Sequence, residues 1–310
     1  MNAGLFRDTL IRLSLRTPLL PLLVAASFVD GFWSTGNLRT LAESVSVDGI
    51  IVIGMTVVMI AGGFDLAVGS VLAMGGVVAV LLLPHGLVAS ALGAAAAGAA
   101  AGLLSGTLVT RLRINPFIAT LAVMVMVRGG ILAYTDTRPV VGLEDAFLAL
   151  GGGRPLPYAF LIMLAIAVAA HVLLSERPWG RHVYAVGADE RAAAMAGLRV
   201  TRIKMQCYAL SGVLAALAGM LLAARLGTGS PIIGEATPLT AAAAALIGGA
   251  SLRGGEGSIP GAVAGLLFVG CLVNVMNLLG VPSYYQRMVI GAMLFALVVT
   301  DGVLLRLRRR

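Results

Sequence analysis

Asn274 and Asn277 stand three residues apart in an otherwise apolar run, a spacing that puts both amides on one face of a helix. An amide both donates and accepts hydrogen bonds, so such a face can stand in for the hydration shell of a hydroxyl crossing an apolar layer. Thr56 and Gln286 would add polar lining to the same path. Hydrogen bonding between helices is the competing use of these side chains in lipid.

Other chemistry is poorly provided for. The one lysine, Lys204, follows Ile203, whereas a phosphate-binding P-loop needs Gly-Lys followed by Ser or Thr, so the chain cannot hydrolyse nucleotide by that device. His85, His171 and His182 are far apart and lack the clustered ligands of a zinc site. No nucleophile and base stand at a recognisable spacing. Cys207 and Cys271 lie in or beside apolar runs and give no disulfide framework. Asp48 and Asp301 fall near the ends of apolar runs and Asp65 in a glycine turn, which leaves Arg128 as the most intramembrane charge. A central Arg costs about 2.5–3.5 kcal/mol on insertion scales. A structural ion pair is its expected setting, with a substrate contact as the sharper alternative.

The elements that must position these residues follow from composition. The chain has 310 residues, 59% hydrophobic and 12% charged, with a mean hydropathy of +0.99. A soluble domain carries about 25% charged residues, and disordered chains are poor in apolar ones, so the solvent is lipid. Apolar runs against breakers predict spans near 17–33, 45–62, 66–84, 86–110, 116–134, 157–175, 205–224, 238–252, 258–279 and 286–305. The expected fold is therefore an all-α polytopic membrane protein of about ten transmembrane helices, one domain over 1–310. Arg7, Arg12 and Arg16 ahead of an apolar stretch look like a signal peptide, but Asp30-Gly31-Phe32-Trp33 follows in place of a small-residue cleavage site. A retained first helix with an interfacial Trp33 is expected.

The net charge of +8 could mark a nucleic-acid binder, but the arginines flank apolar runs, and 5% aromatics leave few stacking platforms for bases. Of the 22 basic residues, sixteen sort to the side of the N-terminus and four (Arg39, Arg138, Arg154 and Arg225) to the other, with Arg128 and Arg287 within or at the edge of spans. That asymmetry predicts cytoplasmic termini. It places a connection near 135–156 outside and one near 176–204 in the cytoplasm. Neither is long enough for a catalytic domain.

Small residues recur at helical spacing. Gly98, Gly102 and Gly106 share one face, as do Gly261 and Gly265, where helix backbones can approach closely; packing within the subunit is favoured over a dimer interface. Gly62-Gly63-Phe64-Asp65-Leu66 before Gly69-Ser70 echoes Gly248-Gly249-Ala250-Ser251-Leu252 before Gly257-Ser258, as a parallel internal repeat would, although glycine-rich turns can match by chance.

Five segments carry a family resemblance. The run from Gly54 through Gly62-Gly63-Phe64-Asp65-Leu66-Ala67 to Ser70 resembles the hallmark segment of ribose-type ABC sugar permeases. Asn115-Pro116-Phe117 with Arg128-Gly129 is similar to a second family motif, and Gly180-Arg181-His182 through Gly187-Ala188-Asp189-Glu190 to Gly197 to a third. Ile247-Gly248-Gly249 with Gly254-Gly255-Glu256-Gly257-Ser258, and Asn274-Val275-Met276-Asn277, complete the set. Where the family commonly has Ile-Asp-Leu-Ser, this chain has Phe64-Asp65-Leu66-Ala67, losing a hydroxyl.

The resemblance implies a type II-like ABC importer permease of the bacterial inner membrane, moving a monosaccharide. Its implied partners are a second permease copy or homologue, an extracytoplasmic sugar-binding protein and a cytoplasmic ABC ATPase that holds the ATP and Mg; the chain itself needs no cofactor. Within the third motif Asp189 is a plausible N-cap, Glu190 puts negative charge in the first turn beside Arg191, Ala192 and Ala193 open a run of strong helix formers, and Gly197 supplies a left-handed stop. This short surface helix is expected to be the coupling helix seated in the ATPase. The rival readings are a branched-chain amino-acid ABC permease and an ion-coupled secondary transporter.

Overall fold

The computed structural model describes residues 19–152 and 157–308. Arg7, Arg12, Arg16, Arg154, Arg309 and Arg310, which enter the charge asymmetry, lie outside the described residues. Among the described residues thirteen helices follow one another: α1 (Leu19–Ala26), α2 (Thr35–Ile60), α3 (Val68–Leu81), α4 (Leu87–Thr110), α5 (Pro116–Thr135), α6 (Asp145–Gly151), α7 (Tyr158–Ser175), α8 (Pro178–Ala188), α9 (Glu190–Met195), α10 (Val200–Leu226), α11 (Thr237–Ile247), α12 (Ile259–Leu278) and α13 (Ser283–Arg308). A single 3-10 turn, Leu83–His85, lies between α3 and α4. A two-residue ribbon pairs β1 (Val140–Val141) with β2 (Thr228–Gly229), antiparallel.

Among the described residues six helices, α2, α4, α5, α7, α10 and α12, are long and apolar enough to cross a membrane. These six do not confirm the expected count of about ten. At 1.5 Å per residue, the 14 residues of α3 and the 11 of α11 cover about 21 and 16 Å against a hydrocarbon core of about 30 Å. Both are buried along most of their length, so they are segments too short to span alone and enclosed by their neighbours. Irregular backbone at membrane depth is tolerated only in such enclosure. The described part of the first expected span is an eight-residue helix, closed by turns in which the exposed Trp33 donates its Nε1 hydrogen to Ser27 Oγ at 3.3 Å.

Helix α2 is the longest departure from the sequence reading, beginning ten residues earlier than the span near 45–62. Ser34 caps it, its side chain accepting from the Asn37 amide at 3.2 Å. From there the helix runs 26 residues, about 39 Å, and is buried almost continuously from Val45 to its end. Gly62, at φ +70°, ends it: Gly62 N–H bonds Met59 O and Gly63 N–H bonds Val58 O, both at 2.9 Å, the paired closure of a Schellman turn. The same pair closes α11, with Gly249 bonding Leu246 O and Ala250 bonding Ala245 O at 2.9 Å. The sequence echo thus has a local counterpart in two like-built helix ends.

Helix α10 is the second buried axis, packed against α4, α3 and α2. The α4 stripe meets it backbone to backbone, since a Cβ on Gly98 would strike the Gly212 carbonyl and one on Gly212 the Gly98 carbonyl. Gly261 and Gly265 of α12 face α11 in the same way, at Gly248 and Ala244. Both expected small-residue faces are used inside the chain. The outer helices α5 and α7 keep Leu121, Val125, Leu161 and Val168 exposed, as lipid-facing helices do.

Candidate functional site

Two regions at opposite halves of α2 collect the polar and glycine-rich residues. The first is an elbow made by α8 and α9. Pro178 opens α8 at its first turn, where a missing N–H costs nothing. Asp189, extended at φ −156°, breaks the run and caps α9, its Oδ1 accepting from the Arg191 amide at 2.8 Å and the Ala192 amide at 3.0 Å. Gly197, at φ +85°, stops it, with its N–H on Ala194 O at 3.0 Å and that of Leu198 on Ala193 O at 3.1 Å. The capping expected from sequence is all present.

The faces of α9 are sharply divided. Ala193 is buried against the chain itself. Asp189, Glu190, Arg191, Ala192 and Gly197 are exposed, and Met195 stands 84% exposed. An isolated helix this short is unstable in water, and tertiary ties supply what length does not. The Lys204 ammonium, on α10 and almost wholly buried, pairs with the half-exposed Glu190 carboxylate. Trp179 donates its indole N–H to Gln206 Oε1 at 2.9 Å. Tyr184 donates its hydroxyl to Gly257 O at 2.8 Å, and burial pushes that phenol above its ordinary range, so it stays a neutral donor.

The two partners of the ion pair are unequal, and the consequence is testable. Removing Glu190 strands a buried cation, while removing Lys204 leaves a carboxylate that water can reach. Glu190→Gln is expected to cost about 1–2 kcal/mol and Lys204→Met less. Thermal unfolding of the two variants in detergent should rank them in that order.

The elbow sits on the end of α2. Gly187 has no room for a Cβ, which would run into the Ile60 carbonyl, and that carbonyl accepts the Gly255 amide at 2.8 Å. Three segments of the sequence motifs, around Gly62, Gly187 and Gly254, therefore meet at one point. The turn that follows is fixed from inside. Asp65 accepts from Ser211 Oγ at 2.9 Å and from the Ala67 amide at 3.0 Å. The Tyr208 hydroxyl lies 3.3 Å from both Phe64 N and Phe64 O, and the Leu66 amide donates to Thr120 Oγ1 at 3.1 Å. Asp65 is thus committed to holding the turn against α10.

The second region is a cavity of about 100 Å³ between α2, α11 and α12. Asn274 and Asn277 line it, as do Thr40, Ser44 and Asp48 of α2 and Thr240 of α11. Asn274 exchanges amide bonds with Asn37 at 2.9 and 2.8 Å, and Asn277 Oδ1 accepts from Gln286 Nε2 at 2.7 Å. These amides thus tie helices together, the competing use named for them, and also line the cavity. Gln286 stands behind Asn277 and not on the wall. Thr56 is elsewhere, wholly buried lower on α2, its hydroxyl on Val52 O at 2.7 Å. The structure therefore does not bring Thr56 to the other three.

Two charges are set differently from expectation. The Arg128 guanidinium donates to the backbone carbonyls of Pro231 and, at 3.4 Å, of Gly69. Its described hydrogen bonds go to backbone, and Glu235 acts on it only at longer range. Asp48, read from sequence as near a span end, lies at the middle of α2 because that helix starts at Thr35. A signal for it was available: Thr40, Ser44 and Asp48 recur every fourth residue, the spacing of one helix face.

A family model described as the permease component of branched-chain amino acid transport systems matches residues 37–298. The ribose import permease protein RbsC of Escherichia coli (strain K12) is 39% identical over 289 residues, 90% of this chain and 89% of that protein. The protein of the same name from Bacillus subtilis (strain 168) is 40% identical over 271 residues, 86% of this chain and 84% of its own. The L-arabinose ABC transporter permease protein AraH of Azospirillum brasilense is 37% identical over 277 residues, 88% of this chain and 82% of its own. No solved structure gives a significant match.

Proposed function

The chain belongs to the permease family that includes the ribose and L-arabinose import permeases, and from that membership we propose that it is the membrane subunit of a bacterial ATP-driven importer of a monosaccharide of the pentose class. The observation that carries the mechanism is the seating of the capped elbow on the end of α2 at Ile60 and Gly187, because α2 is also a wall of the polar cavity. One rod joins the two regions.

In this reading the elbow is cytoplasmic and both termini lie on that side, in keeping with the arginine asymmetry. The exposed face of α9 docks in a cytoplasmic ABC ATPase, which holds ATP and Mg and performs the hydrolysis. A second permease copy or homologue completes the path, and an extracytoplasmic binding protein delivers the sugar. The chain's own work is conduction: α2 turns movement of the elbow into movement of the cavity wall. Tight binding along such a path would slow release, so the binding protein does most of the selection.

A branched-chain amino acid is the weaker reading. A zwitterion needs partners for both charges when it leaves water, and among the described residues the cavity wall carries the carboxylate of Asp48 with no Lys, Arg or His. The test is uptake by proteoliposomes holding the chain with its ATPase and binding protein. Radiolabelled pentose should enter only with ATP on the ATPase side. Uptake of leucine and not pentose, or pentose accumulation by the chain alone, would reject the proposal.

A further inference from the structure

The carboxylate of Asp48 is partly exposed at the cavity and serves neither the elbow nor the turn that follows α2. It lies at the midpoint of α2 and lines the cavity, and it makes no hydrogen bond or ion pair with any other described residue. Arg225 acts on it electrostatically, but that guanidinium is engaged elsewhere: its Nε lies 3.5 Å from Glu43 Oε2, while Arg39 holds Glu43 Oε1 at 3.0 Å. Glu43 thus absorbs the nearby arginines, and Asp48 is left to whatever enters the cavity. An ionisable group inside a membrane protein without a partner is costly and marks a substrate or ion path.

The neighbours narrow the choice of ligand. The side chains closest in sequence register are the hydroxyls of Thr40 and Ser44, with Thr240 and the two asparagines facing them. These groups donate and accept hydrogen bonds without net charge. A carboxylate is acceptor-only with two oxygens, so it can take two adjacent hydroxyl donors from one ligand through charge-assisted bonds, which are about twice as strong as neutral ones. A metal ion would need several oxygen ligands, usually with more than one carboxylate, and among the described residues Asp48 is the only acidic one on this wall.

We propose that Asp48 is a specificity-determining residue of the path, its carboxylate receiving vicinal hydroxyls of a neutral aldose while Asn274 and Asn277 contact the rest of the ring. The proposal rests on the sugar-import reading. It adds that the membrane subunit discriminates between sugars by hydroxyl stereochemistry, on top of the selection made by the binding protein.

The test uses the complete transporter in proteoliposomes with ATP and a panel of radiolabelled pentoses and hexoses, comparing wild type with Asp48→Asn and Asp48→Leu after confirming that each co-purifies with the ATPase. Asp48→Asn keeps the volume and one acceptor, so it should transport with a changed ratio between epimeric sugars. Asp48→Leu should lose at least tenfold in uptake at subsaturating sugar. Unchanged uptake in Asp48→Leu, or a fall in both variants that is equal for every sugar, overturns the proposal and leaves the sugar-import reading standing. Wild-type uptake that collapses on adding a protonophore, with Asp48→Asn insensitive to it, would make Asp48 a proton site and also overturn it. Failure of the wild type to import any sugar would instead be a failure of the sugar-import reading.

Discussion

Gly187→Val will abolish transport while the protein still inserts in the membrane. The Gly187 Cα lies so close to the Ile60 carbonyl that even a methyl group has no space, and the obstruction is backbone, which cannot rotate away. Two further branches on that Cβ must lever α8 off the end of α2 and break the Gly255 N–H to Ile60 O bond of 2.8 Å. Overpacking of this kind costs about 1–3 kcal/mol, which the many buried contacts of α2 and α10 can tolerate. The elbow's position is what suffers. Uptake in proteoliposomes should fall at least about tenfold, equivalent to about 1.4 kcal/mol, with membrane yield near wild type. Near-normal uptake would show that elbow and α2 need not move together.

Met195→Glu is expected to uncouple the chain from its ATPase without disturbing the fold. Met195 stands 84% exposed at the end of α9, flexible and apolar, as side chains at adaptable docking surfaces are. A carboxylate there would be desolvated on docking, a cost of several kcal/mol if it found no partner. Co-purification with the ATPase should drop by about tenfold or more, with the melting temperature of the chain alone unchanged. Ala193→Glu, by contrast, should lower both, because Ala193 is buried against the chain's own core. Equal behaviour of the two variants would contradict the assignment of their faces.

The contrast between those two positions shows where sequence reasoning reaches. The capping of α9 was legible because a cap is local: Asp189 bonds amides two and three residues on, and Gly197 takes its left-handed turn in place. Which face of that helix points inward was not, since Ala192 and Ala193 look alike until α10 is packed beside them. The Glu190 and Lys204 pair, fourteen residues apart across a turn, likewise exists only after the elbow folds back.

The membrane segments divide in the same way. The glycine faces of α4 and α12 were readable because four-residue spacing is a property of one helix. That α3 and α11 stop short of a full span was not, because enclosure of α3 by α10, α4 and α5 and of α11 by α12, α2 and α13 is what permits it. Asp48 was misplaced for a definite reason: Ser34 caps α2 ahead of a polar first stretch through Arg39, Glu43 and Ser44 that resembles a loop by hydropathy alone. Arg128 found carbonyls of Pro231 and Gly69, acceptors that every sequence possesses and none advertises.

The central claim, that force reaches the cavity from a partner through an elbow facing the cytoplasm, is tested most directly by a thiol at Met195→Cys in sealed membranes of the complete transporter. Cys207 and Cys271 are buried and give little background. A membrane-impermeant thiol reagent should modify Met195→Cys only from the cytoplasmic side, and the bound ATPase should protect it. Modification from the outside, or from the inside at the same rate with and without the ATPase, would contradict the account.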